Sequence, residues 1–126
     1  RRTLGERAER MRLLTDRLWS LLAEHVPGVA RNGHPERRLP NTLSVRFPGV
    51  SGSALLDAAP EVAASTGSAC HAGGERPSAV VLAMGVAPAE ALGTVRLSVG
   101  PTTSADDVER AAAALVRAWR SLRRAS

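Results

Sequence analysis

Thr94-Val95-Arg96-Leu97-Ser98-Val99 alternates without a break between polar and apolar side chains. Successive strand residues point to opposite faces, so Val95, Leu97 and Val99 share one face and Thr94, Arg96 and Ser98 the other. Thr42-Leu43-Ser44-Val45-Arg46-Phe47 repeats the pattern, with Leu43, Val45 and Phe47 together. Two such strands predict a sheet with one covered face. Helical patterns lie outside them on both sides. Leu4, Ala8, Met11, Leu14, Leu18, Leu21 and Leu22 recur at helical spacing from about Thr3 to about His25, and Pro27-Gly28 stops the run. Ser104-Ala105-Asp106-Asp107 reads as a capping box with aspartate in place of the usual glutamate. It opens a last helix whose apolar stripe is Val108, Ala111, Ala112, Leu115, Trp119 and Leu122.

The intervening stretches are shorter. Arg31 to Glu36 is a polar loop, and Pro48-Gly49 ends the first strand. Gly52 to Ala59 reads as a short helix capped by Ser51, with Pro60 just beyond it. Val62-Ala63-Ala64 is a candidate short strand, and Ser65 to Arg76 has loop composition. Pro77 and Gly85 bracket a helix through Val80, Val81 and Met84. Long terminal helices over a small sheet predict an α/β fold of the α+β type. It is a two-layer sandwich whose antiparallel or mixed sheet is covered on one face by helices. The second sheet face, with Arg96 on it, points to solvent or to something outside this chain.

The chain has 126 residues, enough for one domain spanning 1–126. Its net charge is +5, and all seventeen basic residues are arginine. With no lysine it cannot form a lysine Schiff base and cannot carry a P-loop lysine. A pI near 11.3 invites a nucleic-acid reading. Against it, glutamates interleave with the N-terminal arginines, and no aromatics accompany them as stacking platforms. Nucleic-acid binding is therefore not expected. The three histidines have no metal-ligand spacing and one cysteine cannot make a CxxC pair, so no metal site is expected. No apolar run approaches the roughly 20 residues needed to span a bilayer, and the N-terminus has no signal-peptide core. The expected location is the cytoplasm, with no membrane partner.

Chemistry concentrates in Ser65-Thr66-Gly67-Ser68-Ala69-Cys70-His71 and at Arg96. A lone cysteine is a buried small hydrophobe or a reactive thiol. Small neighbours would leave Cys70 accessible on a mobile loop. The adjacent His71 is a solvated loop residue or, as an imidazolium, lowers the thiol pKa from about 8.5 toward neutrality. Arg96 is an exposed strand arginine or a guanidinium held rigidly for bidentate binding of a carboxylate.

Ser65-Thr66-Gly67-Ser68-Ala69-Cys70, Pro77-Ser78 with Ala83-Met84-Gly85, and Val95-Arg96-Leu97-Ser98-Val99-Gly100 together resemble the C-terminal part of NifS/IscS-type cysteine desulfurases. Arg38-Leu39-Pro40-Asn41-Thr42-Leu43-Ser44-Val45 fits the same family, and the similarity runs in order over essentially the whole chain. Ala69-Cys70-His71-Ala72 also resembles the related selenocysteine lyases. The resemblance implies the small C-terminal domain of a homodimeric, pyridoxal-phosphate-dependent enzyme of the class V aminotransferase type. By this likeness Cys70 is the nucleophile that takes sulfur from L-cysteine as a persulfide, with selenocysteine as the alternative substrate. Ser65, Thr66, Gly67, Ser68 and Ala69 form its mobile loop. Arg96 matches the arginine that binds the substrate carboxylate. Sulfur-acceptor proteins, for iron–sulfur assembly or thiolation, are the implied partners.

Two departures stand out. Pro101 occupies a position where the family usually has arginine. No residue of the chain can anchor pyridoxal phosphate as a Schiff base, so the cofactor is expected on a large domain outside it. The chain alone is expected to be inactive. The alternatives in function are a selenocysteine lyase and a stand-alone persulfide carrier.

Overall fold

The structure is a computed structural model and describes residues 3–32, 41–62, 71–72, 92–100 and 102–125. Helix α1 spans Leu4–His25. The Thr3 hydroxyl caps it by accepting from the Glu6 N–H at 3.1 Å, which satisfies one of the open amides of the first turn. Leu14, Leu18, Leu22 and the following Val26 are buried, one per turn. After Val26 the chain reverses through Gly28 at φ +87°, a conformation that favours glycine. It then enters strand β1, Ala30–Arg31. Strand β2 is Thr42–Arg46 and helix α2 is Gly52–Asp57, capped by Ser51. Strand β3 is His71–Ala72 and strand β4 is Thr94–Ser98. Helix α3 is Ala105–Ala125.

The strands form one antiparallel sheet in the order β1-β2-β4-β3. The expected alternation holds: Leu43, Val45, Phe47, Val95, Leu97 and Val99 are all buried, and they form one core with the helices. The chain is thus an α/β, two-layer fold. Gly93 is required where β2 meets the start of β4. The Phe47 N–H donates to the Gly93 carbonyl at 2.9 Å, and a side chain at Gly93 would stand 2.2 Å from the Phe47 carbonyl oxygen.

α1 and α3 run parallel and side by side. Arg10 donates to the Thr103 carbonyl, and Arg17 pairs with Glu109 at 3.1 Å. α3 starts with the expected reciprocal box. Asp107 N–H donates to Ser104 Oγ at 3.1 Å, and Ser104 N–H donates to Asp107 Oδ2 at 2.9 Å. Its buried face is wider than the expected stripe and adds Ala114, Val116 and Ala118, because α3 packs against both α1 and α2. No helix among the described residues is long and apolar enough to cross a membrane.

Five local expectations are corrected. Leu4 is 82% exposed rather than part of the buried stripe, since Arg10 is already level with Thr103 and the first turn of α1 projects past the start of α3. Arg31, expected in a loop, is in β1. Val62, expected in a strand, is helical with Glu61; its N–H donates to the Ala59 carbonyl at 3.1 Å and its side chain enters the core. His71-Ala72, expected in a loop, is a strand. The short helix α2 also ends at Asp57 rather than Ala59. The helix expected from Pro77 to Gly85 lies outside the described residues.

Candidate functional site

The covered face of the sheet leaves a polar face opposite it. Thr42, Ser44 and Arg46 of β2 and Thr94, Arg96 and Ser98 of β4 lie there by alternation. β4 is flanked on both sides, so Arg96 sits inside the sheet and not on its edge. Register places Arg96 opposite Ser44 in β2 and opposite His71 in β3. Directly paired residues have Cα atoms about 4.5–5.5 Å apart. The Arg96 side chain is exposed, and among the described residues no carboxylate contacts it. Most arginines elsewhere are engaged. Arg31 pairs with Asp16 at 3.0 Å and lies over the Trp19 ring, Arg110 pairs with Asp107, and Arg117 reaches Glu61 at 3.5 Å. A guanidinium on a rigid strand, exposed and unneutralised, can offer two parallel N–H bonds to an incoming carboxylate.

Asn32 forms the part of this face that sequence reasoning missed. Its N–H donates to the Ser44 carbonyl at 2.9 Å. Its side-chain amide donates to Ser44 Oγ at 3.1 Å and to Thr94 Oγ1 at 3.4 Å. Asn32 is 7% exposed, and its Oδ1 is buried with no hydrogen-bond partner among the described residues. The cluster ties the end of β1 to both central strands beside Arg96. Asn32-Gly33 carries a turn signal in the sequence, but nothing there announces which strand the amide will reach.

Cys70 and the loop residues Ser65, Thr66, Gly67, Ser68 and Ala69 lie outside the described residues. His71 is described as the β3 partner of Arg96. Among the described residues, no three His, Cys, Asp or Glu side chains come together as a metal site.

Comparison with known proteins follows the same outline. The family model for Aminotransferase class-V matches residues 4–111. A cysteine desulfurase of Frankia sp. (strain EuIK1) is 39% identical over 118 residues, covering 92% of this chain and 28% of the relative. An IscS-like cysteine desulfurase of Mycobacterium tuberculosis is 41% identical over 126 residues, covering 98% and 32%. Among solved structures, a NifS-like protein superposes with a TM-score of 0.70 at 29% identity, covering 95% of this chain and 29% of that one. The NifS-like protein from Rickettsia africae gives 0.74 at 24% identity, covering 90% and 29%, a likeness of fold alone. The chain spans under a third of the length of the curated relatives it matches. Fold, polar face and similarity agree: the chain belongs to the class V aminotransferase family, and the members it matches are NifS/IscS-like cysteine desulfurases.

Proposed function

We propose that the chain serves as the C-terminal small domain of a cysteine desulfurase, within a longer polypeptide. Cys70 acts as the sulfur-accepting nucleophile and Arg96 as the anchor for the substrate carboxylate. The observation that supports this most is the β3–β4 register. His71, the covalent neighbour of Cys70, is the strand partner of Arg96.

The chemistry assigned to these residues is simple. Arg96 fixes L-cysteine by its carboxylate. The Cys70 thiolate forms a bond to the substrate sulfur, and the carbon–sulfur bond breaks. The electron pair stays on the substrate carbon, which takes up a proton and leaves as alanine. Cys70 keeps the sulfur as a persulfide for a sulfur-acceptor protein. Pyridoxal phosphate in this family uses a lysine anchor, and this chain has none. The residues present therefore do not fit that group, and we assign it to the remainder of the polypeptide.

The test is alanine and sulfide release from L-cysteine by the whole polypeptide. Cys70→Ser is expected to abolish persulfide formation while leaving the substrate-bound absorbance change intact. Undiminished turnover by that variant would remove Cys70 from the mechanism.

A further inference from the structure

The outer side of the helical layer carries a groove that the desulfurase reading does not use. It runs between the C-terminal halves of α1 and α3 and encloses about 320 Å³. Its floor is apolar and low, made by Leu21 of α1 and by Ala112, Ala113 and Val116 of α3. Its rim is basic, with His25, Arg117 and Arg120. Glu109 is the acidic residue of the lining, and it is already paired with Arg17 at 3.1 Å. Arg117 reaches Glu61 at 3.5 Å, a long and exposed pair that an incoming carboxylate can replace, and Arg120 has no ion pair or hydrogen bond among the described residues.

Basic residues near a helix C-terminus have an ordinary cause, the partial negative charge of the last carbonyls. That accounts for Arg123 and Arg124 in the last turn of α3. The effect fades within one turn, so it does not account for Arg117 and Arg120 further in. Those two stand at i and i+3, four and seven residues past Ala113, and so continue the line of the groove.

We propose that this groove docks an acidic amphipathic helix of a partner protein. Two parallel helices with alanines between them leave a trough in which a third helix can lie close. Small apolar side chains would meet Leu21, Ala112, Ala113 and Val116, and carboxylates would meet the guanidinium forks of Arg117 and Arg120. A second copy of this chain is the wrong occupant, because its net charge is +5 and its own helices would bring arginines to arginines. A single-stranded nucleic acid lacks its usual platform. Trp119 donates to the Pro48 carbonyl at 2.9 Å, Trp19 lies under Arg31, and Phe47 is in the core.

The experiment uses the whole polypeptide and a fluorescein-labelled 18-residue helical peptide of Glu, Ala and Leu with one apolar stripe. Anisotropy is expected to show saturable binding. Arg120→Glu and Arg117→Glu should each weaken it tenfold or more, with the circular dichroism and the turnover of L-cysteine unchanged. A peptide of the same composition with its stripe scrambled should bind at least tenfold more weakly. Equal binding of the scrambled peptide, indifference to Arg120→Glu, or no binding at millimolar protein overturns the proposal. Displacement of the peptide by a 20-base-pair DNA duplex, lost in Arg120→Glu, overturns it in favour of nucleic acid. Turnover is read separately, so failure here leaves the desulfurase reading standing, and the reverse also holds.

Discussion

At the scale of single residues, Arg96 depends on the parity of β4. One step along the strand in either direction is a buried valine or leucine, so a one-residue slip would put the guanidinium in the core. Its strand position also makes the role sensitive to shape and not only to charge. Arg96→Lys keeps the charge and loses the two-pronged donor, so the KM for L-cysteine in the whole polypeptide is expected to rise about tenfold, and by about a hundredfold for Arg96→Ala. An unchanged KM in both variants would remove the carboxylate anchor. Glycines make a second, sharper contrast. At Gly93 a methyl group would collide with the Phe47 carbonyl, which belongs to the backbone and cannot swing aside. Gly93→Ala is expected to destabilise the chain by about 3 kcal/mol. Gly5 is exposed in the first turn of α1, with the nearest heavy atom 3.9 Å away. Gly5→Ala is therefore expected to stabilise by about 0.5 kcal/mol, because alanine loses less backbone freedom in a helix. Urea unfolding of the two variants checks the opposite signs.

At the scale of elements, α3 is held at its start by side chains and along its length by packing. The Ser104–Asp107 box satisfies two amides at once, and Ser104→Ala is expected to cost about 1 kcal/mol. It also makes the helix sensitive to acid. The Ser104 backbone N–H holds the Asp107 carboxyl below its ordinary value of 3.8, helped by the Ser104 hydroxyl and then by Arg110. A lowered carboxylate stabilises the fold above its unfolded value, and the contribution is lost as pH falls through the folded one. Chemical denaturation between pH 6 and pH 2 is expected to show this loss, and Asp107→Asn should flatten that part of the profile. The box was legible in four consecutive residues because capping is local. So were β2 and β4, where five or six alternating positions leave no helical reading. The two-residue strands β1 and β3 were not legible. A dipeptide has no period, and each exists only because a longer neighbour offers it a ladder. The same physics separates the halves of the candidate site. Arg96 and its face follow from alternation, whereas Asn32 and the His71 register come from pairing between segments far apart in sequence. Val62 shows the remaining ambiguity, since a short apolar run suits a buried strand and a buried helical turn equally well.

At the scale of the whole molecule, one layer of helices covers one face of the sheet, and the buried side chains of the three described helices and both central strands join a single cluster. That arrangement leaves Arg96 exposed on the opposite, polar face of the sheet. The same arrangement bears on how the chain unfolds. Leu18 of α1 and Leu97 of β4 are both fully buried, on different elements but in the same cluster. Trp119 reports on the junction between α3 and the turn after β2, through its bond to the Pro48 carbonyl. If the core is one unit, tryptophan fluorescence and far-ultraviolet circular dichroism should follow one transition with one midpoint, as small single-core domains do. Leu18→Ala and Leu97→Ala should each move that midpoint by an equivalent of roughly 2–5 kcal/mol without splitting it. A helix signal that outlives the fluorescence transition, or a variant that shifts one probe and not the other, would mean that the parallel helices α1 and α3 hold together without the sheet.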